Sequence, residues 1–341
     1  MPVLYAVSPI GLGHASRAIA VGLKLRERRI GLEFATGGRA AAFIRSYGFT
    51  AHDVITEPVP SEKDGVMRNP TLWYLKYWRG YRASRTRVSS LMSRLKPDLV
   101  VGDEEFSSVS LAIEQGVKNV LISDELELNF ARTSVSRYVE RRVGEWYARL
   151  QHEVSHLLIP DFGTDHNNIH FTTPIVRAVS KSRDEVRKEL GLDTDSRLVL
   201  FSASGSGIGD FILENVVKTL RSMHDPRTEL VVTGVMGGKS DGNVHYVGLQ
   251  KDNQNLVAAA DLVISTAGKS TIDEAASFGT PMIAIPIKNH SEQERNADSL
   301  GFTYDDRHRL SELIPKFLSK RTVPRNYQGA EIAAQYLGRL T

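Results

Sequence analysis

The sequence predicts an α/β protein built from two doubly wound, Rossmann-like parallel-sheet domains that face each other across a cleft. Short apolar runs alternate with amphipathic helical stretches along the chain, which is typical of strands joined by crossover helices. The pattern occurs twice, because Val3–Ala20 and Leu198–Leu220 each read as a strand, a glycine-rich loop and a helix. The length of 341 residues also favours two domains over one.

The predicted elements follow one another in the order that this fold requires. Buried strands are predicted at the apolar runs Val3–Val7, Leu99–Val101, Val120–Ile122, Leu157–Ile159, Leu198–Phe201, Leu230–Thr233, Leu262–Ile264 and Met282–Ile285. Helices are predicted at Ala18–Arg28, Lys76–Leu95, Phe211–Met223, Gln254–Ala260, Thr271–Phe278 and Gly329–Leu340. The polar segment Ile159–Ser182 contains two prolines and predicts a linker. We therefore expect an N-terminal domain at 1–165, a C-terminal domain at 166–325 and a terminal helix at 326–341 that packs back toward the N-terminal domain.

Composition restricts the class of protein. Hydrophobic residues make up 41% of the chain, charged residues 24%, and the net charge is +3, which is an ordinary globular balance. The absence of cysteine excludes disulfides, thiolate metal sites and cysteine nucleophiles. The N-terminus resembles no signal peptide, and no apolar run approaches the roughly 20 residues that span a bilayer. We expect a cytoplasmic protein, at most peripheral on the inner face of the membrane.

A phosphate site is predicted at Ile264–Glu274, which passes from a strand through a small-residue turn into a helix. Ser270 and Asp273 have the spacing of a capping box. A helix start presents free backbone N–H groups and the positive end of the helix dipole, and Gly268 lets the backbone approach an anion. Glu274, one turn into the helix, could accept both hydroxyls of a ribose, or it could simply complement the dipole.

A second glycine loop, Phe201–Gly209, could cover the same diphosphate from the other side. Such a loop alone is often only a tight turn. Two of them, each at the carboxyl end of a strand in one domain, are a stronger signal because open α/β sheets bind ligands at that edge.

The segments Ser265–Glu274, Gly279–Pro286 and Glu292–Ala297 together resemble the donor-binding signature of GT-B glycosyltransferases. The order is a small-residue glycine turn, a helix with a ribose-binding glutamate, a Gly-x-Pro strand, and a glutamine before Asn-Ala. The pattern is most similar to that of the bacterial N-acetylglucosaminyltransferases that make lipid II (MurG-like enzymes). The looser resemblance extends over nearly the whole chain.

The resemblance implies roles for the matching positions. Glu274 would hold the ribose, Gln293 the donor sugar, and the backbone at Leu249 the base. The turn before the predicted helix would lie against the diphosphate, although Lys269 stands where an apolar residue is expected. The implied donor-binding set is Gly13, Ser204, Gly205, Ser206, Leu249, Gln250, Ala267, Gly268, Lys269, Ser270, Glu274, Glu292 and Gln293.

His14 is the predicted catalytic base. A neutral imidazole at a helix start, with its pKa lowered by the helix N-terminus, could take a proton from an acceptor hydroxyl. Alternatively it is a capping or core histidine. The pattern Gly11-x-Gly-His-x-x-Arg17 resembles the start of a GT-B branch common in archaeal and bacterial genomes. A dinucleotide fingerprint is disfavoured, because Ser16 replaces the third glycine and no acid ends the second strand.

A predicted strand ends in the acids Asp103, Glu104 and Glu105, at the edge where His14 should lie. An orienting carboxylate assists a histidine base, and Asp103 resembles the aspartate paired with the base in some GT-B enzymes. We predict Asp103 rather than its two neighbours as the partner, against the alternative of a solvated loop acid.

A basic and aromatic stretch follows Asn69. Between Trp73 and Lys96 there are seven Lys or Arg residues and no acid, a composition that suits a membrane surface or an anionic lipid carrier. Phe130–Arg149 has the same character. The alternative places the aromatics in the core and the charges in solvent. The predicted acceptor or membrane surface is Trp73, Tyr77, Trp78, Arg79, Tyr81, Arg82 and Arg85.

No metal and no cofactor are predicted. Asp193 and Asp195 have the DxD spacing of metal-dependent glycosyltransferases, but they lie in a predicted helix-to-strand turn. The histidine pairs His152/His156 and His166/His170 have i, i+4 spacing, but Pro160 and Gly163 break the segment. A helix dipole and backbone donors could stabilise the leaving diphosphate instead.

The predicted function is therefore inverting, metal-independent transfer of a sugar from a nucleotide diphosphate donor, by resemblance UDP-N-acetylglucosamine. The acceptor would be a hydroxyl on a lipid-linked glycan, and the sequence leaves the oligomeric state open. One alternative is a nucleotide-sugar 2-epimerase of the same fold, which needs no acceptor. Another is a non-catalytic sugar-nucleotide-binding subunit. Nucleic acid is not expected, because no recognised binding motif accompanies the charge.

Overall fold

The computed structural model describes residues 3–59, 61–68, 70–124, 134–203, 209–235, 239–320 and 322–341. The chain divides into two units, which are described separately. Unit 1 comprises Met1–Ser61, Asn69–Arg177 and Tyr327–Thr341, and unit 2 comprises Glu62–Arg68 and Ala178–Asn326.

The described residues form the following elements. The strands are β1 (Val3–Val7), β2 (Leu32–Thr36), β3 (Ala51–Asp53), β4 (Ser61–Lys63), β5 (Val66–Arg68), β6 (Leu99–Asp103), β7 (Lys118–Ile122), β8 (His156–Ile159), β9 (Ile169–Phe171), β10 (Arg197–Ser202), β11 (Thr228–Thr233), β12 (Val244–Gly248), β13 (Leu262–Ser265) and β14 (Met282–Ala284). The helices are α1 (Gly13–Glu27), α2 (Gly38–Ser46), α3 (Pro70–Leu95), α4 (Phe106–Glu114), α5 (Ser134–Glu153), α6 (Arg183–Glu189), α7 (Asp210–Ser222), α8 (Asn253–Ala259), α9 (Lys269–Phe278), α10 (Ser291–Ser299), α11 (Leu310–Leu318) and α12 (Gly329–Leu340). Tyr304–His308 is a short 3-10 helix.

Each unit contains a parallel sheet. Within the described residues, the strand order is β3-β2-β1-β6-β7-β8-β9 in unit 1 and β12-β11-β10-β13-β14 in unit 2. The central strands β1 and β6 are buried along their whole length, because helices cover both faces of such a sheet. The predicted fold class of two Rossmann-like parallel-sheet domains is confirmed.

The boundary between the units differs from the predicted residue 165. The segment after β8, predicted as a linker, contains β9, which pairs with β8 in parallel. Unit 1 therefore continues to Arg177. β9 has only the three residues Ile169–Phe171, which are too few for an alternating pattern to be recognised in the sequence.

The terminal helix α12 belongs to unit 1 and packs against α1. Ala333, Ala334 and Leu337 are fully buried in the core that surrounds α1. Small residues such as Ala333 and Ala334 let two helices pack closely, and Leu337 belongs to the same buried core. No helix among the described residues combines the length and apolar character that crossing a membrane requires.

We predict that Leu337→Ala destabilises the protein by about 2–4 kcal/mol, because it leaves a cavity in a core that cannot fully collapse. Ile332 on the same helix is 37% exposed and serves as the matched control. Ile332→Ala should lower the free energy of unfolding by less than about 1 kcal/mol, because folding removes only part of the Ile332 side chain from water. Urea unfolding measures both, and equal losses would contradict the packing described here.

Candidate active site

The carboxyl ends of β1 and β6 meet in the middle of the sheet in unit 1. Their register places Val7 level with Asp103. The strand order reverses between them, since β1 leads to β2 on one side and β6 to β7 on the other. Open α/β sheets bind ligands outside the carboxyl ends of strands at such a reversal.

His14, Arg17 and Asp103 form a hydrogen-bonded cluster at this point. Nδ1 of His14 lies 3.2 Å from Oδ1 of Asp103. Arg17 donates from Nη2 to Oδ1 of Asp103 at 2.6 Å and from Nε to Oδ2 at 3.0 Å. Its Nη1 donates to Asp124 at 2.5 Å. The structure thus brings together the two residues predicted for catalysis and adds two more.

The proton positions in the cluster follow from donor and acceptor chemistry. Asp103 is ionised, and a carboxylate accepts hydrogen bonds but donates none. Its contact with Nδ1 of His14 therefore assigns a proton to Nδ1, directed at the carboxylate. That assignment leaves Nε2 of His14 to interact with a ligand.

The expectation that His14 is held neutral is wrong. Burial lowers the pKa of His14, and the charge of Arg17 lowers it too. The hydrogen bond and charge of Asp103, with the charge of Glu104, outweigh both and raise the pKa to about 9. The helix N-terminus is a weaker influence than a buried carboxylate at hydrogen-bond distance.

Asp103 itself stays ionised. Burial opposes its charge, but the Arg17 guanidinium and the hydrogen bonds from His14 and Arg17 more than compensate. They hold the pKa of Asp103 below its usual value. Its backbone carbonyl accepts a further hydrogen bond from the Ser8 N–H at 3.0 Å, which ties the end of β1 to the same residue.

The two acids after Asp103 have different surroundings. Glu104 has a left-handed φ of 49°, and its Oε1 accepts from Ser123 Oγ at 2.7 Å and from the Asp124 N–H at 2.8 Å. Glu105 caps α4 by accepting from the next two serine N–H groups. Of the three acids, Asp103 is the one hydrogen-bonded to His14, as the sequence predicts.

The sequence interpretation missed Glu57. Its Oε2 accepts a hydrogen bond from Ser8 Oγ at 2.7 Å. Burial and the nearby Glu105 and Glu104 raise the pKa of Glu57 to about 8, although Ser8 and His14 oppose the shift. Glu57 follows the short strand β3, which no apolar pattern marked. Arg17 could have been predicted, because it is the last residue of the motif that contains His14. No motif in the sequence pointed to Asp124.

In unit 2 the corresponding reversal of strand order falls between β10 and β13. The turn after β13 leads through Ala267, which is buried, and Gly268 into α9, which begins at Lys269. The predicted capping box is wrong. Gly268 is the N-cap and no side chain caps the helix, so Ser270 and Asp273 lie inside it. Lys269 instead donates to Asp273 at 2.9 Å.

Glu274 and Gln293 are both nearly buried in unit 2. Glu274 lies in α9, one turn beyond the glycine turn. Gln293 lies in α10 and accepts through Oε1 from the Ile287 N–H at 3.0 Å, so its Nε2 is the group with which it could bind a ligand. Asn296 on the same helix donates to the Ala267 carbonyl at 3.1 Å. This bond ties α10 to the turn before α9.

The other donor positions are distributed around these helices. Leu249 follows β12 and is 51% exposed, and Gln250 Nε2 donates to the Val247 carbonyl. Glu292 is half-buried in the first turn of α10. Gly13 is the first residue of α1, in unit 1. The loop residues Ser204, Gly205 and Ser206 lie outside the described residues.

The predicted basic and aromatic surface is divided by the packing of α3. Tyr81 is buried and donates to Ser110 at 2.9 Å. Trp73 and Tyr77 are half-buried, and Arg85 pairs with Glu114 at 2.6 Å. The exposed side chains on the same helix include Leu72, Leu75, Trp78, Arg79 and Arg82. The aromatic stripe is therefore partly core and partly surface.

The discounted metal patterns do not assemble a ligand set among the described residues. His152 lies in α5 and His156 in β8, so the i, i+4 spacing is not helical there. His170 contacts Asp165 at 3.0 Å. Asp193 lies in the turn between α6 and β10, as the sequence suggested.

Residues 222–305 match the Glycosyltransferase family 28 C-terminal domain. A protein of Methanosarcina acetivorans named "Uncharacterized glycosyltransferase" is 24% identical over 315 residues, covering 87% of this chain and 82% of that protein. The UDP-N-acetylglucosamine--N-acetylmuramyl-(pentapeptide) pyrophosphoryl-undecaprenol N-acetylglucosamine transferase of Clostridioides difficile is 26% identical over 311 residues, covering 84% and 72%. The glycosyltransferase SnogD from Streptomyces nogalater has a similar structure, with a TM-score of 0.60, 19% identity and 99% of each chain covered.

The fold, the domain match and these similarities define the class of protein. The chain is a glycosyltransferase with the two parallel-sheet domains of the GT-B fold. The region 222–305, which matches the family 28 C-terminal domain, contains Leu249, Gln250 and the positions from Ala267 to Gln293.

We predict that the His14 imidazole titrates with a pKa of about 9 in the folded protein. This value lies above the pKa near 6.5 of a histidine in the unfolded chain. The His14–Asp103 interaction therefore contributes its full stability below pH 6.5, and the contribution is lost as the pH rises through about 9. NMR titration of the imidazole signals, assigned with His14→Ala, measures the value. Asp103→Asn should lower it markedly, since burial and Arg17 then dominate. An unchanged pKa in that variant would contradict the assigned cause.

Proposed function

We propose that this glycosyltransferase transfers N-acetylglucosamine from UDP-N-acetylglucosamine to a hydroxyl of a lipid-linked glycan, with inversion and without a metal ion. The observation that carries the proposal is the His14–Asp103–Arg17 cluster at the reversal of strand order in unit 1. The choice of donor is supported by the names of two relatives that are 26% and 25% identical to the chain.

His14 is the proposed base. Its Nε2 accepts the proton of the acceptor hydroxyl, while the Nδ1–H stays hydrogen-bonded to Asp103. The freed oxygen attacks the anomeric carbon as the bond from that carbon to the diphosphate oxygen breaks. The diphosphate leaves with the electron pair, and attack opposite the leaving group inverts the anomeric centre.

The raised pKa of His14 has two opposite effects on this step: it lowers the fraction of neutral imidazole and raises the basicity of that fraction. A pKa of about 9 leaves only about one His14 in a hundred neutral at pH 7. The neutral form that does occur is a stronger base than an ordinary imidazole, because Asp103 stabilises the imidazolium that results. Activity should therefore rise with pH toward 9.

The proposed donor site lies in unit 2. The start of α9 presents backbone N–H groups without a side-chain cap, and such groups bind a diphosphate and stabilise it as it leaves. Lys269 is paired with Asp273, so the main contribution comes from the backbone and not from that ammonium group. Glu274 would accept the ribose hydroxyls and Gln293 would contact the sugar.

The proposed lipid-facing surface is the exposed part of α3. Leu75 is 64% exposed and Trp78 is 43% exposed, and Arg82 lies 5.6 Å from the Trp78 ring. Apolar side chains flanked by basic ones enter the boundary of an anionic bilayer. Two relatives are named for a pyrophosphoryl-undecaprenol substrate, which supports an acceptor with a lipid chain.

We predict that His14→Gln lowers kcat by about 10²–10⁴-fold with little change in the KM for the donor, as expected for loss of a general base. Glu274→Gln should instead raise the donor KM, because it removes a charged acceptor from a nearly buried site. Glu312→Gln, an exposed carboxylate in unit 2, is the control. Transfer from UDP-[14C]N-acetylglucosamine to an undecaprenyl-linked glycan measures all three. Full activity in His14→Gln would refute the mechanism, and release of a sugar epimer without acceptor would refute transfer.

We predict that the protein floats with vesicles containing anionic lipid and that 1 M salt weakens binding, because screening removes the basic contribution. Leu72→Glu/Leu75→Glu should abolish flotation by placing acids on the apolar surface. Leu300 is 43% exposed in unit 2, and Leu300→Glu is the control. Equal flotation of both variants would exclude α3 as the contact.

A further inference from the structure

The hairpin of β4 and β5 belongs to unit 2, although the chain on both sides of it belongs to unit 1. Val66 forms a parallel bridge with Lys288. The Lys288 N–H donates to the Gly65 carbonyl at 2.8 Å, and the Met67 N–H donates to the Lys288 carbonyl at 2.9 Å. Both backbone polar groups of Lys288 are therefore held by the hairpin.

Lys288 lies in the loop between β14 and α10, the helix that carries Gln293. The neighbouring backbone groups of this loop bind locally. The Ile287 N–H donates to Gln293 at 3.0 Å, and the Asn289 N–H donates to Glu294 at 2.9 Å. The loop is thus hydrogen-bonded to Gln293 through Ile287 and to the hairpin through Lys288.

The turn of the hairpin fits closely against two aromatic rings. Gly65 has a φ of +73°, and a Cβ at this position would lie 2.5 Å from the Phe211 ring. The Tyr304 hydroxyl donates to the Asp64 carbonyl at 2.6 Å. The rings of Phe211 and Tyr304 stack with their centroids 6.0 Å apart. This fit specifies glycine at the turn and fixes where the hairpin lies.

We propose that the hairpin Glu62–Arg68 is a positioning element for the sugar end of the donor site. The inference rests on the proposed function, in which Gln293 contacts the donor sugar. The hairpin acts through its hydrogen bonds with Lys288 in the loop, which is separate in sequence from the turn before α9 that would hold the diphosphate. It therefore governs affinity for the sugar moiety of a nucleotide sugar and leaves affinity for the nucleoside diphosphate unaffected.

Isothermal titration of the full chain with UDP and with UDP-N-acetylglucosamine tests this inference. Gly65→Ala strains the turn and clashes with Phe211, and we expect it to weaken UDP-N-acetylglucosamine binding by about tenfold, the loss expected for one or two backbone hydrogen bonds. UDP binding should match that of the wild type, which also shows that unit 2 is folded. Tyr304→Phe should cause a smaller loss of the same kind. Lys63→Ala, at an exposed position of β4, is the matched control and should change neither affinity.

Three outcomes would overturn the inference. Unchanged affinity for both ligands in Gly65→Ala would mean that the hairpin does not position the loop. An equal loss for UDP and UDP-N-acetylglucosamine would mean that the hairpin merely supports unit 2 as a whole. A wild-type protein that binds neither ligand would refute the proposed donor, and the inference with it, whereas the first two outcomes leave the proposed donor intact.

Discussion

The buried charge of Asp103 determines the arrangement of the centre of unit 1. An ionised carboxylate removed from water is costly unless opposite charges and hydrogen-bond donors surround it. Arg17 and His14 supply both from a single helix, and the Ser8 N–H binds the carbonyl of the same residue. Balancing this one charge therefore fixes the start of α1 against β1 and β6. It also places an imidazole at the carboxyl edge of the sheet, where the strand order reverses.

The same interaction sets the chemistry of the imidazole. Asp103 raises the pKa of His14, while Arg17 competes for the carboxylate and limits the rise. The imidazole becomes a stronger base but is less often neutral, so its reactivity depends on pH above 7. Glu57 lies in the same neighbourhood with its pKa raised to about 8. The site therefore contains two groups that titrate in the alkaline range.

Unit 2 has a similar reversal of strand order but different chemistry. Lys269 is neutralised by Asp273 within α9, and the helix start has no side-chain cap. The groups offered to an anion at this turn are thus backbone N–H groups, whose positions are fixed by the strand and the helix. Gln293 is hydrogen-bonded to Ile287 in the loop before α10, and Lys288 in the same loop is hydrogen-bonded to the hairpin Glu62–Arg68.

The sequence by itself determined the fold class, because strand and helix periodicities are local properties and the sheets follow from their alternation. It also determined that His14 and Asp103 would lie at one sheet edge, since each follows a buried strand. Only the tertiary structure decided the pKa of His14, the exposure of Trp78 against the burial of Tyr81, and the involvement of Glu57 and Asp124. It alone placed Glu62–Arg68 in unit 2. These features depend on contacts between residues distant in sequence, and no local periodicity encodes which distant side chains will meet.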